Sequence, residues 1–411
     1  MLMWVHRLMM AFYLAAPPAA IALVLLSRST RRRYRALRIM LARWLILGIC
    51  ASIIYGVWLG GSVPIPQMAL TCYWAASLLC LLKLLDMAAD QLTRISLAVG
   101  RGSWLRADRR LAAYAVRVLA VFIIGLPYMM AAAATYRPGV VVPMDQGAID
   151  PASRQIEFES QDGLRLVGLW RPATSAPNGA SPLWGRQTAI ICPGPHAALD
   201  AYPMLCEQLQ EAGFNLLSFD FRGHGYSQGH VVSFGDIERY DVLGAVRWLR
   251  EHEAPDAQRI VGIGVETGSA ALLGAAADPG PDGQAIASLV VCGGFNRFDA
   301  LTASAGSAYF IPPLQWLDEH IGLPMACLQT GVNLSAFAPA VDAQAVAPRP
   351  ILFVHGRRDP IIPFELGQKL YDAASQPKMH LWSPQTTADG LEDPQEITAI
   401  IQFLNNAGPM L

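Results

Sequence analysis

Hydrophobic positions are unevenly distributed along this chain. Four apolar stretches, Leu8–Leu26, Ile39–Gly60, Met68–Leu85 and Val118–Ala134, come before residue 137. A bilayer core of about 30 Å takes ~20 mostly apolar residues in helix, so each reads as a membrane span. Pro17 and Pro18 predict a kink in the first. Beyond residue 152 the pattern changes to short apolar runs. Ile156–Glu159 and Leu164–Trp170 flank the turn signal Asp162-Gly163 and predict a hairpin. Ala189–Cys192, Leu216–Phe219, Ile260–Ile263, Ala287–Cys292, Ile351–Val354 and His380–Trp382 read as buried strands. Amphipathic segments at Tyr202–Ala212, Asp236–His252, Ser269–Ala277, Phe364–Ala374 and Pro394–Asn405 alternate with them. That alternation predicts a mostly parallel sheet with helices on both faces.

The expected organisation is therefore a transmembrane helical region over 1–136, a linker over 137–152 and an α/β domain over 153–407. Composition agrees with the division: only 15% of the 411 residues are charged, and the mean hydropathy is +0.32. Orientation follows from arginine. Arg28, Arg31, Arg32, Arg33, Arg35 and Arg38 follow the first span, and Arg94, Arg101, Arg106, Arg109, Arg110 and Arg117 precede the fourth. The loop around Gly61–Pro66 has no charge. Arginine-rich loops stay in the cytoplasm, which places both termini and the α/β domain on the extracytoplasmic side of a plasma or inner membrane. The net charge of −1 offers no basic footprint for nucleic acid. The expected partners are the lipid bilayer and a small molecule or protein in the domain's cleft.

Cys192, Cys206, Cys292 and Cys327 fall in the later half without metal-ligand spacing. No metal or cofactor is expected from them. They read as small buried hydrophobes, with a disulfide among them as the alternative.

Three motifs carry the chemistry. Phe219-Asp220-Phe221-Arg222-Gly223-His224-Gly225-Tyr226-Ser227 follows the fourth strand run of this domain. Gly264-Val265-Glu266-Thr267-Gly268 lies between a strand and a helix. Pro350–Pro363 reads PILFVHGRRDPIIP. In this order they resemble the α/β-hydrolase superfamily, in its serine-peptidase, esterase and dienelactone-hydrolase-like branch, over about residues 153–407. The resemblance implies a G-x-S-x-G nucleophile elbow at 264–268, a catalytic acid at Asp359 and a cap-type insertion over about 296–346.

The same resemblance implies that the machinery is degenerate. Glu266 stands where the nucleophilic serine belongs, and a carboxylate has no hydroxyl for a base to deprotonate. Ala388, in the turn Pro384–Ala388, stands where the histidine belongs. His380 falls inside a strand and reads as a packed residue, while His224 and His355 stand at structural positions. The oxyanion loop Pro193-Gly194-Pro195-His196 places Pro195, which has no N–H, at one donor position; the N–H of Thr267 supplies the other.

These features suggest a pseudoenzyme with a binding or scaffolding role. An alternative is a hydrolase of ester or acyl substrates using a carboxylate nucleophile or an unrecognised triad. A third reading has Glu266 and Asp359 holding a cation, or His196 paired with Glu266.

Overall fold

The computed structural model describes residues 125–136, 153–173, 187–195, 201–252, 259–309 and 312–406, with Leu199 and a few isolated positions before residue 81. The expected spans lie outside the described residues except for the end of the fourth, where Leu126–Thr135 forms an apolar helix, α1. Among the described residues, no helix is long and apolar enough to cross a membrane. The expected linker over 137–152 also lies outside them. The chain divides into two compact units, one of 1–132 with 311–331 and one of 133–310 with 332–411. The residues expected to form a cap-type insertion, about 296–346, are thus split between them.

The second unit holds eight strands: β1 Arg154–Glu159, β2 Arg165–Arg171, β3 Gln187–Cys192, β4 Phe214–Phe219, β5 Arg259–Val265, β6 Ile286–Cys292, β7 Ile351–Gly356 and β8 Lys378–Ser383. Its helices before the insertion are α2 Pro203–Glu211, α3 Arg239–His252, α4 Thr267–Ala277 and the short α5 Pro281–Gln284. The insertion carries α6 Phe298–Tyr309, α7 Pro312–Leu317, a π turn Asp318–Gly322, α8 Leu323–Thr330 and α9 Pro339–Ala345. The chain continues through α10 Phe364–Ala373, the single turn α11 Thr387–Gly390 and α12 Pro394–Asn406.

The strands form one sheet in the order β1-β2-β4-β3-β5-β6-β7-β8. The β1–β2 hairpin expected around Asp162-Gly163 is present, and β2 runs antiparallel to β4. From β4 to β8 every pairing is parallel. β3 and β5 are buried at every position, as expected of strands covered on both sides. One face packs Ile190, Leu217 and Val291 against Val246 and Leu249 of α3, Leu272 of α4 and Leu370 of α10. The other packs Ile191, Leu216 and Val290 against Leu205 and Leu209 of α2 and Ile397, Ile400 and Leu404 of α12. Alternate residues of each strand point to opposite faces, so neighbouring residues serve the two cores.

The turn after β4 is organised by Arg222. Its guanidinium bonds Asp241 of α3 at 2.6–3.1 Å and Asp162 of the hairpin turn at 2.6 and 2.8 Å. This buried fork ties the hairpin and α3 to the end of β4. Ser227 locks the turn's far end, donating to the Asp220 carbonyl at 2.6 Å and accepting from the Val167 N–H at 2.9 Å.

Candidate active site

Parallel strands bring their C-terminal ends to one edge of the sheet, and the loops there hold the candidate residues. The sharpest turn is between β5 and α4. Glu266 occupies it with φ 51° and ψ −112°, a conformation that costs a residue with a side chain about 1–3 kcal/mol. The bracketing glycines permit the turn. A Cβ on Gly264 would lie 2.6 Å from the Cα of Ser269, and one on Gly268 would collide with the Cys192 carbonyl at the end of β3. Glu266 is held from behind by its own N–H, which donates to the Cys292 carbonyl at 2.8 Å. Thr267 then opens α4, so its N–H is one of the helix's first, which have no intrahelical acceptor. The nearby hydroxyl of Ser269 is no substitute nucleophile. Ser269 is fully buried, with Oγ against the carbonyls of Gly264 and Cys292 at 2.7 and 2.9 Å.

The loop after β3 lies beside this turn. A Cβ on Gly194 would sit 3.3 Å from Oε2 of Glu266 and 3.4 Å from Oη of Tyr202. The Gly194 N–H donates to that phenol oxygen at 3.2 Å. Tyr202 caps α2 with φ 59°, and neither hydropathy nor the three motifs pointed to it. Pro195 follows in the same loop, and its carbonyl faces Nε2 of His224 at 3.0 Å. His196 lies outside the described residues, and so does any pairing of it with Glu266.

Asp359 lies beyond β7. Its Oδ1 accepts the N–H groups of Ile361 and Ile362 at 2.9 Å each, and its Oδ2 accepts that of Thr387 at 3.3 Å. Thr387 is buried and also accepts the Gly356 N–H at 3.1 Å, which fastens α11 to the end of β7. Ala388 is the next residue of α11. Asp359 and the turn that carries Ala388 are therefore adjacent.

Three of the described histidines are held by identifiable groups. His224 places Nδ1 on the Arg222 carbonyl at 3.0 Å, besides its contact with Pro195. His355 is buried with Nε2 2.8 Å from the Ile362 carbonyl, and burial lowers its affinity for a proton. His380, in β8, stacks on Trp382 with centroids 4.7 Å apart.

Burial, and then the negative charge of Asp359, push the Glu266 carboxyl up to about 7. Burial is also the main reason the Tyr202 phenol is raised, with Glu266 contributing. The wall beside the helix start is aromatic. Gly235 packs on the Thr267 carbonyl and Ala270, and its neighbour Phe234 lies 4.7 Å from Phe298, which meets Phe295. Among the described residues, no group of three His, Cys, Asp or Glu side chains is placed to hold a metal ion.

Comparison with known proteins bears on the fold. The profile of the serine aminopeptidase S33 family matches residues 185–311. The chain is 28% identical over 238 residues to the uncharacterized protein YfhR of Escherichia coli K12, covering 57% of this chain and 73% of that one. It is 28% identical over 180 residues to the lysophosphatidylserine lipase ABHD12 of Danio rerio, covering 42% of this chain and 43% of that one. Among solved structures, the Pyrococcus furiosus esterase Pf2001 is similar with a TM-score of 0.52 at 20% identity, over 66% of this chain and 98% of the esterase. The later half of the chain has the α/β-hydrolase fold.

Proposed function

We propose that this chain is a membrane-anchored protein whose hydrolase-fold domain binds a ligand in its cleft and does not perform serine hydrolysis. The observation that carries the reading is Glu266 at the nucleophile's turn, in the strained backbone that otherwise displays a hydroxyl. A carboxyl there leaves the serine mechanism without its attacking atom, and Ala388 leaves it without a proton acceptor. The turn survives such losses, because it is specified by Gly264 and Gly268 and not by the residue between them. Phe234, Phe298 and Phe295 beside the turn favour an apolar portion in the ligand. The relation to esterases and to a lysophosphatidylserine lipase points to an acyl compound.

The test is labelling by a fluorophosphonate probe together with turnover of short- and long-chain esters by the full chain in detergent. Neither labelling nor turnover is expected. A second reading has Glu266 attack as a carboxylate, since it occupies the nucleophile's position beside the Thr267 N–H. Ester turnover that vanishes in Glu266→Ala would establish that reading and overturn the first.

A further inference from the structure

The segment 311–331 separates from the domain in which it begins and ends. It groups with residues 1–132, while the chain on either side belongs to the hydrolase-fold unit. One buried contact shows where it is fastened. The Gln329 amide donates to the Tyr128 carbonyl at 3.1 Å across 201 residues of sequence, and both residues are buried. Tyr128 belongs to the first turn of α1, in the latter half of the fourth apolar stretch, so the segment is tied to that half of the stretch.

The segment is not built as a span. α7, the π turn and α8 follow one another without a break as one helical run over 312–330, but Asp318 and Glu319 stand at its middle, where a hydrocarbon core disfavours charge. Both ends return to the same unit. Its surface nevertheless suits a lipid interface. Trp316 is 55% exposed, and Trp favours the headgroup level, where its ring is apolar and its N–H wet. The segment has no Lys or Arg, and Asp318 and Glu319 are its acids. Attraction to anionic headgroups is therefore absent, and the drive is apolar.

We propose that residues 311–331 form a membrane-interface element, an excursion of the hydrolase-fold unit seated in the headgroup layer of zwitterionic lipid with Trp316 as its anchor. The inference rests on the membrane-anchored reading above. The consequence is that the insertion of this fold, which begins just after β6, meets lipid through its middle third.

The test uses the full chain in phosphatidylcholine vesicles, with Trp316→Cys carrying an environment-sensitive fluorophore and labelled wild type as background for native thiols. Met379→Cys, on the exposed face of edge strand β8, is the aqueous control. Quenching at 316 by lipid carrying a headgroup-level spin label should exceed that at 379 by about twofold or more, with no change on adding salt. Iodide should quench at 379 and spare 316. Iodide quenching at 316 equal to that at 379, in a chain that resists alkaline carbonate extraction, would overturn the proposal and leave the membrane reading intact. Release of the chain by carbonate would overturn the membrane reading. Protection from iodide without lipid quenching would assign the face to a protein contact, also against the proposal. If Trp316→Cys does not fold, Met325→Cys in α8 takes the same measurement with the same criteria.

Discussion

The backbone N–H of Thr387 donates to Oδ2 of Asp359 at 3.3 Å, and the residue that follows it is Ala388. The acid thus already grips the turn in which a histidine would be oriented, and it does so through main chain that no substitution at 388 removes.

Restoring the triad should accordingly need two changes. Glu266→Ser and Ala388→His alone are each expected to leave ester turnover at background, because triad members act as a unit. The double variant should exceed either single. It should still fall short by roughly 10²–10³, since Pro195 has no N–H and Gly194 already donates to Tyr202, leaving one oxyanion donor. Turnover and fluorophosphonate labelling of the four proteins measure this.

Stability should depend on pH through Glu266. Its carboxyl titrates near 4.5 when unfolded and at about 7 when folded, so between these values the native state binds more protons. Stability present below pH 4.5 is therefore lost as pH rises towards 7, by up to about 3 kcal/mol. Glu266→Gln should abolish this component, so denaturation midpoints of the two proteins should diverge with rising pH and converge at pH 4. A constant difference across that range would contradict the assignment.

Backbone strain at 266 predicts an inverted preference between glycine and alanine. At ordinary helix or strand positions glycine is less stable than alanine by roughly 0.5–1 kcal/mol. At φ 51° and ψ −112° glycine escapes a penalty of about 1–3 kcal/mol. Glu266→Gly should equal or exceed Glu266→Ala in stability, measured by chemical denaturation at one pH.

Removal of Arg222 should be far more damaging than removal of its less buried partner, Asp162. Arg222→Met leaves fully buried Asp241 without its fork and should cost about 3–5 kcal/mol. Asp162 is 42% exposed, so Asp162→Asn should cost about 1 kcal/mol or less. Denaturation midpoints of the two variants rank them.

The arginine asymmetry predicts the topology. Reporter fusions after Gly163 should be active only with an exported reporter, and fusions within 94–110 only with a cytoplasmic one. Cytoplasmic activity at both sites would contradict the arrangement.

Local pattern carried much of this molecule. Asp162-Gly163 between two alternating runs specified the hairpin, and short apolar runs separated by amphipathic segments specified a parallel sheet, because both signals depend on neighbours in sequence. The spacing Gly264-x-Glu266-x-Gly268 located the sharp turn between β5 and α4 for the same reason. A turn that must admit the Cys192 carbonyl and Ser269 backbone tolerates no Cβ at its flanks.

What sequence left open depends on contacts between distant residues. Tyr202, which accepts the Gly194 N–H beside Glu266, looked like the ordinary start of a helix, since nothing nearby reveals its φ of 59°. His380 and His355 read as packed or structural residues from sequence, but the groups they meet, Trp382 and the Ile362 carbonyl, were not visible there. The division of the insertion at 311 and 331 was equally invisible. Its helices look like any short amphipathic segments, and their allegiance is decided by packing against residues some 200 positions away, as in the bond from Gln329 to Tyr128. Hydrophobic period reports which face of an element is buried, whereas the partner that buries it is chosen only when the whole chain is folded.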